Sequence, residues 1–333
     1  MGSILKVEKI NILILEGLAI FFVMLVHSGT PNQVYAFFSY GLGALVFARG
    51  YQWKERTIKE VLSSRILLVQ TYYFAGLINT IVFLLIAPPS VVKYPKYEYF
   101  LNLLIGRMDR LDQVAVNAIP LWFFLMLFLA ELMYYFVSKN NVLLIISIAL
   151  ALVLRMVPHE PLVFKIDAAI VSLPFFWLGK IWKKYNVKVS LLGFVLTTGG
   201  LLLISQTNGD ISWNNQWFGK NGVIAFFGEF FAIIVIIFLS EVVKVLKVDG
   251  FFYKLAFNAL FVIAYHMLLG SLLYVILSAF GIVIPDVMKV LNKMWYIYFA
   301  FDLAVVYLAI RYIPARVKSF LIGDFRRVVK RVR

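Results

Sequence analysis

The chain has 333 residues, of which 62% are hydrophobic and 15% charged, with 32 Lys and Arg against 17 Asp and Glu and a net charge of +15. Soluble domains run at about 45–50% apolar and about 25% charged, so an ordinary water-soluble body is excluded; it would expose more apolar surface than a monomer tolerates. The chain has no Cys, which excludes disulfides, thiolate nucleophiles and thiolate-ligated metals, and three dispersed histidines (His27, His159, His266) give no zinc-site spacing.

A hydrocarbon core about 30 Å thick needs about 20 apolar residues per helix. That ruler predicts an all-α integral membrane protein, a single transmembrane domain over 1–333 with no appended soluble domain. Ten spans are expected, at roughly 9–28, 35–52, 62–87, 119–137, 141–157, 165–182, 188–205, 221–242, 256–280 and 293–313. The first follows Lys6 and Lys9 but runs too long for a signal peptide, and no A-x-A-like site follows His27-Ser28-Gly29-Thr30-Pro31; it reads as a retained signal-anchor helix. The second is the weakest, holding Gly41, Gly43, Arg49 and Gly50, and its Gly41-x-Gly43 suggests close helix packing. The longest stretch without a span is 88–118, where Pro88-Pro89 precedes Tyr97–Ile105, a candidate interfacial helix. Residues 206–220 form a polar loop bearing Trp213 and Trp217.

Placing both termini in the cytoplasm puts 23 of the 32 basic residues on the inner side, as cytoplasmic loops of membrane proteins require. This accounts for much of the charge without nucleic acid as a partner. Ionisable residues within spans are costly and mark functional candidates: Glu16, His27, Arg49, Glu131, Asp167, Glu229, His266 and Asp302. Glu16 and His27 are eleven residues apart, three turns plus about 20°, so they share one helix face about 16 Å apart along the axis. A terminal His is also well placed at the headgroup level, hydrogen-bonded to lipid or water. A carboxylate at Glu16 must be paired or protonated. Glu131, Glu229 and Asp302 read first as helix–helix contacts.

Six segments, in order, resemble the acyltransferase-3 family of membrane acyltransferases. They are Leu15-Glu16-Gly17-Leu18-Ala19-Ile20…His27, Phe47-Ala48-Arg49-Gly50-Tyr51, the basic linker ending at Arg65, Pro120-Leu121-Trp122-Phe123-Phe124-Leu125, Phe175-Phe176-Trp177-Leu178-Gly179 and Asn258-Ala259-Leu260…Tyr265-His266. The family's first helix carries a basic residue ten positions before the His; this chain has Glu16 there, while Arg49 stands where the family commonly has Ser. A relocated positive charge pairing with Glu16 is the expectation. Leu68 replaces the second Arg of the family's R-x-x-R on the third helix.

The resemblance implies acyl-CoA, most often acetyl-CoA, as a cytoplasmic donor, a hydroxyl of an extracytoplasmic or lipid-linked glycan as acceptor, and a multi-pass plasma-membrane location. No metal is implied, and a homo-oligomer is left open. Under it, His27 is the catalytic base or an acyl-accepting nucleophile, with Glu16 as its catalytic companion. Arg49, Lys54 and Arg65 would meet the CoA phosphates at the inner mouth, and Tyr72 and Trp122 would line the acyl tunnel or stack on a sugar. His266 would orient a substrate oxygen or be a satisfied buried His. A proton-coupled transporter and a non-catalytic envelope-assembly subunit stay open as alternatives.

Overall fold

The computed structural model describes residues 6–7, 10–87, 91–280 and 287–326. Lys9, Pro88, Pro89 and residues 327–333 lie outside them. In chain order the elements are β1 (Lys6–Val7), α1 (Ile12–Val26), α2 (Asn32–Ser39), α3 (Gly43–Tyr51), α4 (Ile58–Ile86), α5 (Lys96–Ile105), α6 (Trp122–Val137), α7 (Asn141–Met156) and α8 (Ile166–Tyr185). They continue with β2 (Val189–Ser190), α9 (Leu191–Asn208), α10 (Gly222–Val245), α11 (Asp249–Phe257), α12 (Ala259–Ala279), α13 (Val287–Tyr312) and α14 (Ala315–Leu321). Among the described residues the fold is mainly helical, and the two-residue antiparallel pair β1–β2 ties the chain just before α1 to the start of α9.

Six helical segments are long and apolar enough to cross a membrane: Ile58–Ile86, Val116–Val137, Leu191–Asn208, Gly222–Val245, Ala259–Leu277 and Lys293–Tyr312. Two more apolar helices, Ile12–Val26 and Asn141–Met156, are shorter. The core is apolar, but the outer surface of several helices is apolar as well. Helix α7 turns Ser147, Ala151 and Arg155 inward at four-residue spacing and exposes Ile145, Ile146 and Val153. A helix whose small and polar stripe faces protein, with its aliphatic side outward, is matched to lipid.

Every one of the ten expected segments contains helix. The second is a helical run from Asn32 to Tyr51 tightened by a 3-10 turn at Tyr40–Leu42, where Gly41 and Gly43 lower helix propensity. The expected close packing lies elsewhere. A Cβ at Gly41 or Gly43 would meet only ordinary contacts near 3.6 Å. At Gly50 it would run into the Phe176 carbonyl, and at Gly179 into the Phe47 carbonyl. These two glycines let α3 and α8 touch backbone to backbone. The candidate interfacial helix forms as α5, ended by Gly106 at positive φ, while α11, not expected, packs across α1 with Phe252 main chain against Gly17.

Candidate functional site

Helix α1 carries a different kind of site at each end. At its C-terminal end Ser28 donates to the Met24 carbonyl at 2.7 Å, and Gly29 at φ +71° turns the chain away, a glycine stop of the usual sort. This leaves His27 as the half-buried C-cap residue on the wall of a cavity of about 360 Å³. The α1 wall of that cavity runs from His27 back to Ala19, eight residues or about 12 Å of helix. Across from it stand Tyr35 on α2, Trp122 at the start of α6 and the loop residues Ser212–Asn215.

His27 is backed by His266. Its Nδ1 lies 3.1 Å from Nε2 of His266, the rings stacking with centroids 5.2 Å apart. Nδ1 of His266 lies 3.0 Å from the Val262 carbonyl oxygen, one turn earlier on α12. His266 is 1% exposed.

The roof loop is held from two sides. The Trp213 indole donates to Glu229 on α10, which also pairs with Arg155 on α7. Both partners of that pair have fully buried side chains, and Phe218 stands 4.6 Å from the guanidinium carbon, with Phe175 and Trp213 beyond it. Such a pair is weak evidence for stability, but removing one partner strands a charge. On the other side Lys165 donates to Asp109 and, at 2.9 Å, to the Asn214 carbonyl. Burial raises the Asp109 carboxyl, but hydrogen bonding from Arg107 and the charge and hydrogen bond of Lys165 outweigh it and hold the group below its usual range. The Asn214 side chain gives its Nδ2 to the Met108 carbonyl at 2.9 Å, while its buried Oδ1 has no partner among the described residues. An unpaired buried acceptor on a cavity wall suits a donating ligand.

The other end of α1 is an ion network. Arg49 on α3 lies 3.9 Å from Glu16 and 3.3 Å from Glu131 on α6; Gln52 donates to Glu16 at 3.2 Å, and Arg65 on α4 donates to Glu131. Two carboxylates and two guanidiniums therefore staple α1, α3, α4 and α6. Arg49 comes near Glu16, but the carboxylate it hydrogen-bonds is Glu131.

The expected residues divide accordingly. His27 and Trp122 share the cavity wall, and His266 stands behind His27. Glu16 sits at the opposite end of α1, in the ion network. Arg49 and Arg65 are engaged by carboxylates. Lys54 is exposed beyond α3, with no partner among the described residues. Tyr72 is fully buried, its hydroxyl donating to the Leu103 carbonyl at 2.6 Å. Asn214, Asp109 and Arg155 were not singled out from the sequence, nor was the pairing of Glu229 with Arg155 and Trp213. Arg155 lies eight positions after Ser147 on one helical stripe, the signal that places it inside. Among the described residues no cluster of three or more His, Asp or Glu is arranged to hold a metal ion. Compared with family models, curated proteins and solved structures, the chain matches none.

Proposed function

We propose that the chain is a membrane O-acyltransferase of the acyltransferase-3 type, transferring an acyl group, acetyl in the simplest case, from acyl-CoA to a glycan hydroxyl. In this reading ten spans cross the plasma membrane with both termini in the cytoplasm, so that the Glu16 end faces the cytoplasm and the His27 cavity faces outward. The observation that carries it is an imidazole on the wall of a cavity lined by Trp122, Trp213 and Tyr35 with amides at Asn214 and Asn215. Aromatic faces and amide groups suit a polyhydroxylated ligand, and an imidazole suits a proton taken from an alcohol near neutral pH.

The chemistry balances without a metal. The acceptor hydroxyl gives its proton to His27 as its oxygen attacks the thioester carbonyl. The C–S bond then breaks, and the departing CoA thiolate recovers the proton. Arg49 and Arg65 already hold carboxylates, which leaves Lys54, Arg56 and Lys59 as the cations for the donor's phosphates. One turn of α1, from Ala19 to Glu16, separates the cavity floor from the ion network, so the donor arm must part the helices there. The test is mass spectrometry of surface glycans from cells with and without the protein. An acetyl-sized mass difference supports the reading; identical glycans, with labelled solute accumulating in vesicles that hold the protein, contradict it in favour of transport.

A further inference from the structure

The His27–His266 contact fixes more than position. A carbonyl oxygen only accepts hydrogen bonds. The Val262 carbonyl 3.0 Å from Nδ1 of His266 therefore requires the proton of that ring on Nδ1. In a neutral imidazole the other nitrogen then carries the lone pair, so Nε2 of His266 is an acceptor. The nitrogen that meets it at 3.1 Å is Nδ1 of His27, which must donate. A neutral His27, a residue of the cavity wall, is thereby left with its proton on Nδ1, toward His266, and its lone pair on Nε2.

We propose that His266 is a positioning residue: through the Val262–His266–His27 chain it locks His27 as the Nδ1–H tautomer and presents Nε2 as the basic nitrogen. The chain of bonds ends on a main-chain carbonyl, which holds a proton in place and does not take one up. His266 thus fills the orienting place that a carboxylate fills in a Ser–His–Asp triad, with one difference. It brings no negative charge, so when His27 gains a proton at Nε2 the imidazolium's Nδ1–H is still accepted only by a neutral ring. No carboxylate is hydrogen-bonded to either ring among the described residues. The tautomer assignment stands on geometry alone; its catalytic consequence rests on the acyl-transfer reading above.

The experiment is ¹⁵N NMR of the imidazole nitrogens in detergent-solubilised protein with labelled histidine. The chain has only three histidines, and a His159→Gln background reduces the spectrum to the pair. The expected spectrum shows Nδ1 protonated and Nε2 bare on both rings, with a coupling across the Nδ1–H···Nε2 bond from His27 to His266. A proton on Nε2 of His27, or a bare Nδ1 on either ring, overturns the assignment. In a His266→Gln variant the amide oxygen can accept at the position of the lost Nε2, and the His27 tautomer is kept. In His266→Ala it becomes a mixture, and retention of a single Nδ1–H tautomer there overturns the positioning role. If the Ala variant does not fold, the wild-type and Gln spectra decide. In acyl transfer, His266→Ala lowers kcat at least tenfold with the donor KM within about twofold, and Gln restores most of it. The NMR needs no substrate, so an inert protein with the expected tautomer counts against the function and leaves the assignment standing.

Discussion

At the Glu16 end of α1, charges from four helices cancel one another; at the His27 end, one ring of a stacked His pair lines a cavity whose wall still holds an acceptor, Asn214 Oδ1, with no partner among the described residues. Both ends bring polar groups into an apolar chain, and both were candidates for chemistry on that ground. Satisfaction separates them. A network in which each charged group meets an opposite charge has no capacity left for a ligand and acts as a staple. A site with a lone-pair nitrogen, an unpaired oxygen and space in front of them is incomplete until something fills it.

That contrast is open to direct attack. The largest stability effect belongs to Glu131, which alone answers two guanidiniums and is 1% exposed. Glu131→Ala is expected to cost about 3–5 kcal/mol in denaturant unfolding, whereas His27→Gln changes stability by less than about 1 kcal/mol. Equal losses at the two positions would erase the distinction. Trp213→Phe removes the indole donor to Glu229 and leaves a buried acceptor short, for about 1–3 kcal/mol, with the roof loop loosened in hydrogen exchange.

A smaller effect is pH-dependent. Because Asp109 is held below its unfolded value of 3.8 in the folded protein, its contribution is whole above that value and is lost as pH falls through the lower folded pKa. Melting temperature followed downward from about pH 6 should show this acid step in the wild type and a weaker one in Asp109→Asn. The smallest effect lies outside both sites, at the start of α4. There Thr57 and Glu60 form a reciprocal capping box, and Thr57→Ala should cost about 1 kcal/mol.

The helical segments were legible because hydropathy is written along the chain: each of the ten expected stretches holds helix, and the two glycines that tighten the second are visible in it. What hydropathy cannot convey is which helix faces which. Gly41-x-Gly43 resembles a packing motif, yet the close approach falls at Gly50 and Gly179, 129 positions apart. The partnership of His27 and His266 spans 239 positions, and no spacing rule within one helix reaches it. Arg155 lies within the expected span 141–157 yet was not among the ionisable candidates, although its position on the Ser147–Ala151 stripe buries it. Glu16 was drawn toward His27 by sharing a helix face, and the structure shows that face divided between two ends with different partners.

The acyl-transfer account meets its most direct test in the rate at which labelled acetyl passes from acetyl-CoA to an added glycan in reconstituted wild-type and His27→Ala protein. General-base catalysis predicts a loss of about 10²–10⁴-fold with the melting temperature unchanged. Transfer by the variant within a few-fold of wild type would contradict it.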